Sequence, residues 1–364
     1  MKDFAAEFTP LRLRNQRLTR TTFRSAAEVV GWLGAVQSQD YAGAKWGLAQ
    51  RATGLTDAVV EQAFNEGAIL RTHILRPTWH FVTPADMRWM MALSGPRVTA
   101  RSAPYLRKLE LDSSLLSRSR KVFERALGGG RCLTRKELQQ ALATARIAVT
   151  TIRLAFVVMQ AELDAVICSG PRRGKELTYA LFDDRVPAVK TINREEAIAR
   201  LTLRFFASHG PATIRDFVWW SGLTVQDARV GLAAAATTLA TGVVGDRTYY
   251  FVPSKGAVPA AVPSAFLLPN YDEYLVAYKD RDAGVSTILA QRMVEGTFDA
   301  YAHPLVLDGR LAGTWRRDVG KKAARVSVSP FGRFSRQNSR SLDEATERLA
   351  KFLGVPVEWE RVRN

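Results

Sequence analysis

Residues 132–182 read "CLTRKELQQALATARIAVTTIRLAFVVMQAELDAVICSGPRRGKELTYALF". Thr134 stands three residues before Glu137, which is the spacing of a capping box at the start of a helix. A second, more apolar helix is predicted over 150–166, and the end of the stretch alternates like a β-hairpin with "GPRRGK" at its tip. A further helical segment over 117–130 precedes it and stops at three glycines. Three helices followed by a hairpin are typical of a winged helix-turn-helix unit.

The same order of elements occurs at two other places in the chain. The first copy has predicted helices over 24–36 and 54–67, then a hairpin with Pro77 at its turn. The third copy has three predicted helices and a hairpin that turns at Gly245–Asp246. We therefore predict an α+β fold of three tandem winged helix-turn-helix units and a C-terminal β-rich region. The predicted domains are 1–100, 101–190 and 191–253 for the three units, and 254–364 for a linker, a β-rich region with a basic hairpin, and a final helix.

The composition indicates a globular protein with a polyanionic partner. The chain has 364 residues and a net charge of +17, with a pI of about 10.2. Such a charge favours nucleic acid or an anionic membrane as a partner. GC-rich coding is an alternative source for the excess of Arg over Lys, but it does not explain the net charge. No apolar run is long enough to span a membrane and the first residues lack an apolar leader, so we expect a cytoplasmic, nucleoid-associated protein.

Two stretches concentrate the positive charge. Residues 310–340 contain nine basic residues and one acid, Asp318, and the segment "WRRDVGKKAAR" is predicted to form a hairpin that lies on a phosphate backbone. A solvated charged loop is the alternative. The predicted DNA-contacting residues are those of this hairpin and of the second wing tip: Arg316, Arg317, Lys321 and Lys322, with Arg172, Arg173 and Lys175. The helices themselves are too apolar or too acidic for base reading, which favours a scaffold role.

The usual catalytic and metal-binding motifs are missing from the sequence. Its two cysteines and four histidines are scattered, and neither HExxH nor GxSxG occurs, so we expect no metal and no cofactor. The segment "PNYDEYLVAYKDRD" places four carboxylates among tyrosines: Asp272, Glu273, Asp280 and Asp282. One of them could act as a general base. The preferred interpretation is a buried ion pair with Lys279 or Arg281.

The segment "QSQD" adds a cluster of hydrogen-bonding side chains at a helix end. Gln37 and Gln39 are two residues apart, and neighbours at that spacing diverge on a regular helix. Both can address one ligand only where the helix ends or loosens. Gly34 before the segment and Gly43 after it make such an end plausible.

Three separated stretches resemble the bacterial YcaQ/AlkZ family of winged-helix DNA glycosylases. They are "AAEVVGWLGAVQSQDYAGAKWGLAQR" (26–51), "ILRTHILRPTWHFVTPADM" (69–87) and "LLPNYDEYLVAYKDR" (267–281), which agree with the family in order and spacing. The resemblance implies a C-shaped arrangement of the winged helices. It also implies a catalytic Gln–aliphatic–Gln motif whose two ends are Gln37 and Gln39. We add Asp40 as a reserve base by hypothesis. Ser38 departs from the family pattern, since it replaces the aliphatic residue.

The Gln-x-Gln form is similar to the AlkZ branch, which removes bulky N7-alkylguanines and unhooks crosslinks made by azinomycin-type compounds, as self-resistance beside antibiotic clusters. The resemblance therefore implies a monofunctional glycosylase acting on double-stranded DNA with alkylated purines or crosslinks, without an obligate protein partner. Glutamines suffice because an N7-alkylguanine is already cationic and leaves without protonation, so that two amides need only place a water. The alternatives are a non-enzymatic winged-helix regulator and a protein that sequesters the free drug.

Overall fold

The computed structural model describes residues 4–19, 21–253, 264–279 and 303–362. The predicted α+β class is confirmed, since helices alternate with four small sheets in these ranges. Asp280, Arg281 and Asp282, and most of the predicted linker (254–263), lie outside the described residues. The chain starts with helix α1 (Phe4–Asn15), which packs on the C-terminal region through Leu13.

The first unit contains three helices and a three-stranded sheet. Its elements are α2 (Ala26–Leu33), β1 (Val36–Gln37), α3 (Tyr41–Ala49), α4 (Asp57–Glu66), β2 (Leu70–Ile74) and β3 (Arg76–Val82), and the strand order is β1-β3-β2. Helices α2 and α4 begin close to their predicted starts, where Ser25 and Thr56 cap them. Helix α3 was not predicted as a separate element, because its glycines and polar start hid the helical periodicity.

The turn of the first hairpin is not at Pro77, as the sequence suggested. Pro77 lies inside β3, and the chain reverses at Leu75, whose φ is 62°. Leu75 is 2% exposed and belongs to the largest core cluster. Its backbone N–H donates to the Ser94 hydroxyl over 3.1 Å. The tip of this wing is therefore held in the protein interior by packing that sequence pattern does not reveal.

Helix α5 (Pro84–Lys108) joins the first unit to the second without a break. The domain boundary predicted at residue 100 thus falls within one continuous helix. The second unit comprises α6 (Ser113–Leu127), β4 (Leu133–Thr134), α7 (Arg135–Thr144), α8 (Thr151–Leu163), β5 (Ile167–Ser169), β6 (Thr178–Leu181) and α9 (Phe182–Arg185), with strand order β4-β6-β5. This topology repeats that of the first unit. The predicted capping box of Thr134 and Glu137 is confirmed.

The third unit has the same sequence of elements with a reduced sheet. Its elements are α10 (Arg194–Ser208), α11 (Ile214–Ser221), α12 (Val225–Ala234), β7 (Ala240–Val244) and β8 (Arg247–Phe251). A single bridge between Ala212 and Tyr250 replaces the first strand of the other units. The predicted turn at Gly245–Asp246 is confirmed by the pairing of Val244 with Arg247.

The C-terminal region forms a five-stranded sheet covered by one helix. Its elements are β9 (Ala265–Leu267), α13 (Glu273–Val276), β10 (His303–Leu307), β11 (Arg310–Val319), β12 (Ala324–Pro330), α14 (Arg336–Leu353) and β13 (Val357–Arg361), with strand order β13-β12-β11-β10-β9. Helix α14 starts at the Ser335 cap, earlier than the predicted Ser341. Trp46 of α3 lies in the core of this region, 5.2 Å from the Phe352 ring. Helix α3 therefore joins the first unit to the C-terminal sheet.

Candidate active site at the Gln37–Gln39 strand

The Gln-Ser-Gln segment is extended rather than helical. Helix α2 ends at Gly34, which has a φ of 87°, and the chain then pairs with β3 through Gln37 opposite His80. The backbone N–H of Ser38 continues the pairing by donating to the Trp79 carbonyl over 2.8 Å. The strand ends at Gln37, and Gln39 follows in a bend, where its side chain contacts the same hairpin. The predicted helix end is confirmed, and both glutamines lie beside β3.

Gln37 is fixed on two sides. Its side-chain oxygen accepts a hydrogen bond from an Arg76 terminal nitrogen over 2.9 Å, and its backbone N–H donates to Glu273 Oε1 over 2.8 Å. The residue is 8% exposed. Its Nε2 has no partner among the described residues, so this amide group keeps a donor for a water or a nucleotide.

Gln39 is the exposed member of the pair. Its side-chain oxygen accepts a long hydrogen bond, 3.4 Å, from the backbone N–H of Trp79. The motif thus presents one rigid buried amide and one that is loosely held at the surface.

Ser38 occupies an interior position that suits an apolar side chain. It is 0% exposed, and its hydroxyl oxygen is buried without a hydrogen-bond partner among the described residues. An unpaired buried hydroxyl costs free energy that an aliphatic side chain avoids. The departure from the family pattern at Ser38 therefore affects the packing of the interior behind the motif.

Asp40 is the N-cap of α3. Its Oδ1 accepts from the backbone N–H of Gly43 over 3.0 Å, and a Cβ on Gly43 would come within 2.4 Å of the other carboxylate oxygen. A side chain at position 43 would therefore press on the capping carboxylate and on Pro269. Asp40 also lies near Arg317 and His303, because its charge acts on the pKa of both. The reserve-base role stays a prediction beside this capping role.

Glu273 connects the motif to the third unit. It is 1% exposed; its Oε2 accepts from the Trp220 indole N–H over 3.0 Å and lies 3.5 Å from His209 Nε2. Burial works to raise the pKa of Glu273, but the neighbouring His209 ring, the N–H of Gln37 and the charge of Arg76 bring it below its usual value. The carboxylate under the motif is therefore ionised.

Asp272 forms a buried ion pair, as the preferred interpretation of this segment expected, but with a different partner. Arg51 donates to its two oxygens over 2.9 and 2.7 Å, and both side chains are 2% exposed. The sequence pointed to Lys279 or Arg281 because they are neighbours in the chain. The pair fixes the Asp272–Glu273 segment against α3, at whose C-terminal end Arg51 lies.

The predicted basic hairpin is formed by β11 and β12, with Arg317 opposite Val326 and Val319 opposite Ala324. Lys321 and Lys322 lie at its exposed tip, and Arg316 is exposed along the strand. Burial lowers the pKa of Arg317, and the charge of Asp40 opposes this effect. The part of the hairpin that carries Arg317, close to its tip, thus lies near Asp40. Its contact with DNA stays a prediction.

The second wing tip is engaged within the protein. Arg172 is 3.2 Å from a Glu61 carboxylate oxygen of α4, and Arg173 is 2.7 Å from Glu137 at the start of α7. Lys175 is exposed. Two of the three predicted phosphate contacts thus have acidic partners in the fold, with which a phosphate would compete. Their role in DNA binding stays a prediction.

Sequence reasoning missed the residues of the first hairpin that surround the motif. Arg71 donates from Nε to the Ser38 carbonyl over 3.1 Å, and its guanidinium carbon lies 4.3 Å from the centre of the Trp79 ring. With Arg76 on Gln37, the hairpin contacts all three motif residues. A strand of two residues such as β1 is too short to show the alternation of apolar and polar residues that predicts strands. Its pairing with β3 was therefore not predicted from the sequence.

The four histidines do not gather into one site. His73 pairs with Glu162, and His80 is buried with a pKa that burial lowers to about 3. In the described ranges, no group of three His, Cys, Asp or Glu side chains is placed to hold a metal ion. None of the described helices combines the length and apolarity needed to cross a membrane.

Comparison with known proteins assigns the chain to a family. The sequence profile described as "DNA glycosylase AlkZ-like" matches residues 30–352. A Streptomyces sahachiroi protein named "Interstrand DNA cross-link repair glycosylase" is 24% identical over 363 residues, covering 94% of this chain and 95% of the relative. The structure of the Streptomyces sahachiroi DNA glycosylase AlkZ has the same fold, with a TM-score of 0.78 and 23% identity over 97% of this chain and 98% of that one. The profile spans most of the chain and includes the Gln37–Gln39 strand, and the protein therefore belongs to the AlkZ-like family of DNA glycosylases.

Proposed function

We propose that the protein is a monofunctional glycosylase that hydrolyses the N-glycosidic bond of cationic N7-alkylguanines in double-stranded DNA. The observation that carries the proposal is a pair of amides held by one hairpin, Gln37 through Arg76 and Gln39 through the backbone N–H of Trp79. The Gln37 oxygen is held by Arg76 while its Nε2 stays unpaired among the described residues. Such a pair of amides donates and accepts, which is what positioning one water requires.

The chemistry matches the weakness of an amide as a base. An N7-alkylguanine carries a positive charge and leaves as a neutral base, so no general acid is needed. The transition state resembles an oxocarbenium ion, and the enzyme contributes mainly by holding the nucleotide and orienting the attacking water. The ionised Glu273 beneath Gln37 keeps negative charge near the site while its position is set by Trp220 and His209.

The three repeated units support a tolerant substrate cleft. We interpret them as tandem winged helices in a C-shaped arrangement, with the basic hairpin of β11 and β12 against the duplex beside the lesion. An open cleft accepts adducts too large for a closed base-flipping pocket. On this basis the substrates include interstrand crosslinks, and the biological role is self-resistance to an azinomycin-type genotoxin, in the nucleoid.

The test is base release from defined duplexes. The protein is incubated with DNA containing one N7-methylguanine or one uracil, alkali converts abasic sites to strand breaks, and the breaks are counted on a gel. We expect cleavage at N7-methylguanine and none at uracil. The double variant Gln37→Ala with Gln39→Ala should lose release, whereas Gln140→Ala, at an exposed position on α7, should retain it.

The proposal is wrong if the double variant releases N7-methylguanine at the wild-type rate, or if the duplex shifts in a gel without any abasic site. The latter result would identify a DNA-binding regulator, and affinity for the drug without DNA would identify a sequestering protein. A duplex with one azinomycin crosslink tests the wider substrate range, because unhooking converts a slow cross-linked band into two single strands.

A further inference from the structure

A cavity of about 460 Å³ lies beside the motif strand, where the first hairpin meets the second unit. Arg71 and Trp79 line it from the hairpin, and Arg135, Lys136, Thr151 and Tyr179 line it from α7, α8 and β6. Arg71 and Trp79 are also the residues that hold the Ser38 carbonyl and the Gln39 side chain. Whatever occupies the cavity is therefore in contact with the supports of the motif.

Arg71 is a buried cation whose terminal nitrogens have no hydrogen-bond acceptor among the described residues. It is 8% exposed, and only its Nε has a hydrogen-bond acceptor among the described residues, the Ser38 carbonyl. The acid near it, Glu162, is already paired with His73. Burying a guanidinium whose donors lack partners is costly unless an anion completes the site. The terminal nitrogens of Arg71 are not among the fully enclosed unpaired atoms, so an acceptor that enters the cavity can reach them.

The other walls of the cavity also favour an anion. The first residues of α8, and those of α7 next to its Thr134–Glu137 capping box, line it, and helix N-termini carry a partial positive charge. The Thr150 side chain, at the N-cap position of α8, accepts no hydrogen bond from the helix. The first backbone N–H groups of α8 therefore have no side-chain cap. Lys136 adds an exposed cation, and Arg135 donates to the Thr151 carbonyl over 3.2 Å. Glu176 is the single acid among the lining residues.

We propose that this cavity binds one backbone phosphate of the lesion-bearing DNA strand, close to the reacting nucleotide. The proposal rests on the proposed function for the identity of the DNA. A phosphate bound to Arg71 would be linked through the same guanidinium to Ser38, and so would set the distance between the sugar and the two glutamines. A wing with a free tip touches DNA with that tip. In this protein the hairpin of β2 and β3 would contact the DNA along its side, because its tip is buried.

The experiment replaces single phosphates with neutral methylphosphonates in a duplex carrying one N7-methylguanine. Each position in turn is made neutral, and the dissociation constant is measured at one salt concentration. We expect one position near the lesion where the wild-type protein binds on the order of tenfold more weakly, as for loss of a charged hydrogen bond. Arg71→Met should lower affinity for the unmodified duplex by a similar factor and show no further loss at that position. The control Arg118→Met, exposed on α6, should keep the wild-type pattern.

The proposal is overturned if Arg71→Met binds every methylphosphonate duplex with the same relative loss of affinity as the wild-type protein. It is also overturned if inorganic phosphate binds in the cavity but no methylphosphonate position weakens the binding of the duplex. If Arg71→Met does not fold, Lys136→Gln provides the same comparison, because its exposed side chain does not support the core. Base release is scored separately. If one methylphosphonate position weakens binding only when Arg71 is present, but the protein releases no N7-methylguanine, the phosphate site stands and the proposed substrate is wrong. If the protein releases N7-methylguanine but shows no such position, only the phosphate site is wrong.

Discussion

The buried carboxylate of Glu273 accepts a 2.8 Å hydrogen bond from the backbone N–H of Gln37, although the two residues are 236 positions apart in the chain. The same carboxylate accepts from the Trp220 indole. One side chain thus fixes a strand of the first unit to a helix of the third, and the position of the Gln37 amide depends on both.

Glu273→Gln should reduce the rate of base release by about tenfold or more, while binding of undamaged duplex stays close to wild type. An amide offers one acceptor oxygen, so its NH₂ must face a donor from either Gln37 or Trp220, and such an unmade bond costs about 1–3 kcal/mol. Single-turnover kinetics with saturating enzyme measure the effect. Trp220→Phe is the matched control, because it removes one donor and leaves the bond to Gln37. Equal losses in the two variants would show that Glu273 acts only through stability.

Asp40 has two candidate roles that substitution separates. Asp40→Asn should retain both stability and activity, because Asn caps a helix about as well as Asp. Asp40→Ala should lower the free energy of unfolding by about 1 kcal/mol, since Gly43 loses its acceptor. Denaturant unfolding and base release are measured on both variants. A folded, stable Asp40→Asn protein with no activity would establish the reserve-base role and contradict this prediction.

Ser38→Ala should stabilise the protein by about 1 kcal/mol with little change in activity. The substitution removes a buried hydroxyl that has no partner among the described residues, at the cost of only one heavy atom of packing. The midpoint of urea unfolding at constant m-value is the measurement. A loss of stability would mean that the hydroxyl is paired, for example through a bound water.

Replacing Arg316, Arg317, Lys321 and Lys322 together by Gln should weaken DNA binding and flatten its dependence on salt. Each phosphate contact that is lost reduces the slope of log K against log salt by about 0.9. The control is a set of four exposed cations away from the motif, Arg118, Lys121, Arg125 and Lys108, changed in the same way. A slope equal to that of the wild type would exclude the hairpin from the interface.

Stability should fall as the pH is lowered from about 6.5 toward 4. Burial lowers the pKa of His80 to about 3 and of His303 to about 4, from a usual value of 6.5. In this window the unfolded chain takes up protons that the folded protein excludes, so each histidine lowers the free energy of unfolding by up to about 1.4 kcal/mol per pH unit. Above pH 6.5 this contribution is fully present. Unfolding titrations from pH 5 to 8 measure the slope, which His303→Asn should reduce; an identical slope would rule out its contribution.

The local signals of the sequence predicted much of the fold. Capping residues such as Thr134 and Glu137 indicated where helices begin, and alternation indicated the hairpins, because both depend on neighbours in the chain. The position of the first hairpin turn was wrong for the opposite reason. Leu75 takes a positive φ in the core through contacts with α5, while Pro77, the stronger turn former, fits into a strand.

The identity of the site residues stays a prediction, and their surroundings could not be predicted. The family resemblance pointed to Gln37 and Gln39, whereas their contacts depend on pairing with a strand forty residues later, which a segment as short as β1 does not reveal. Arg71, Arg76 and Trp79 lie in the 69–87 stretch that carries the resemblance, but their contacts with the motif become visible only through that pairing. Glu273 was noted as a carboxylate among tyrosines, but its partners come from three parts of the chain.

The buried hairpin tip at Leu75 limits how the hairpin of β2 and β3 can move. A wing with a free tip can bend toward DNA, whereas this tip is anchored in the core through Ser94 of α5. Since β1 is hydrogen-bonded to one strand of this hairpin, the strand that carries Gln37 is attached to a fixed support. Such a support suits the role proposed for Gln37 and Gln39, because weak amides that act by position must be held still.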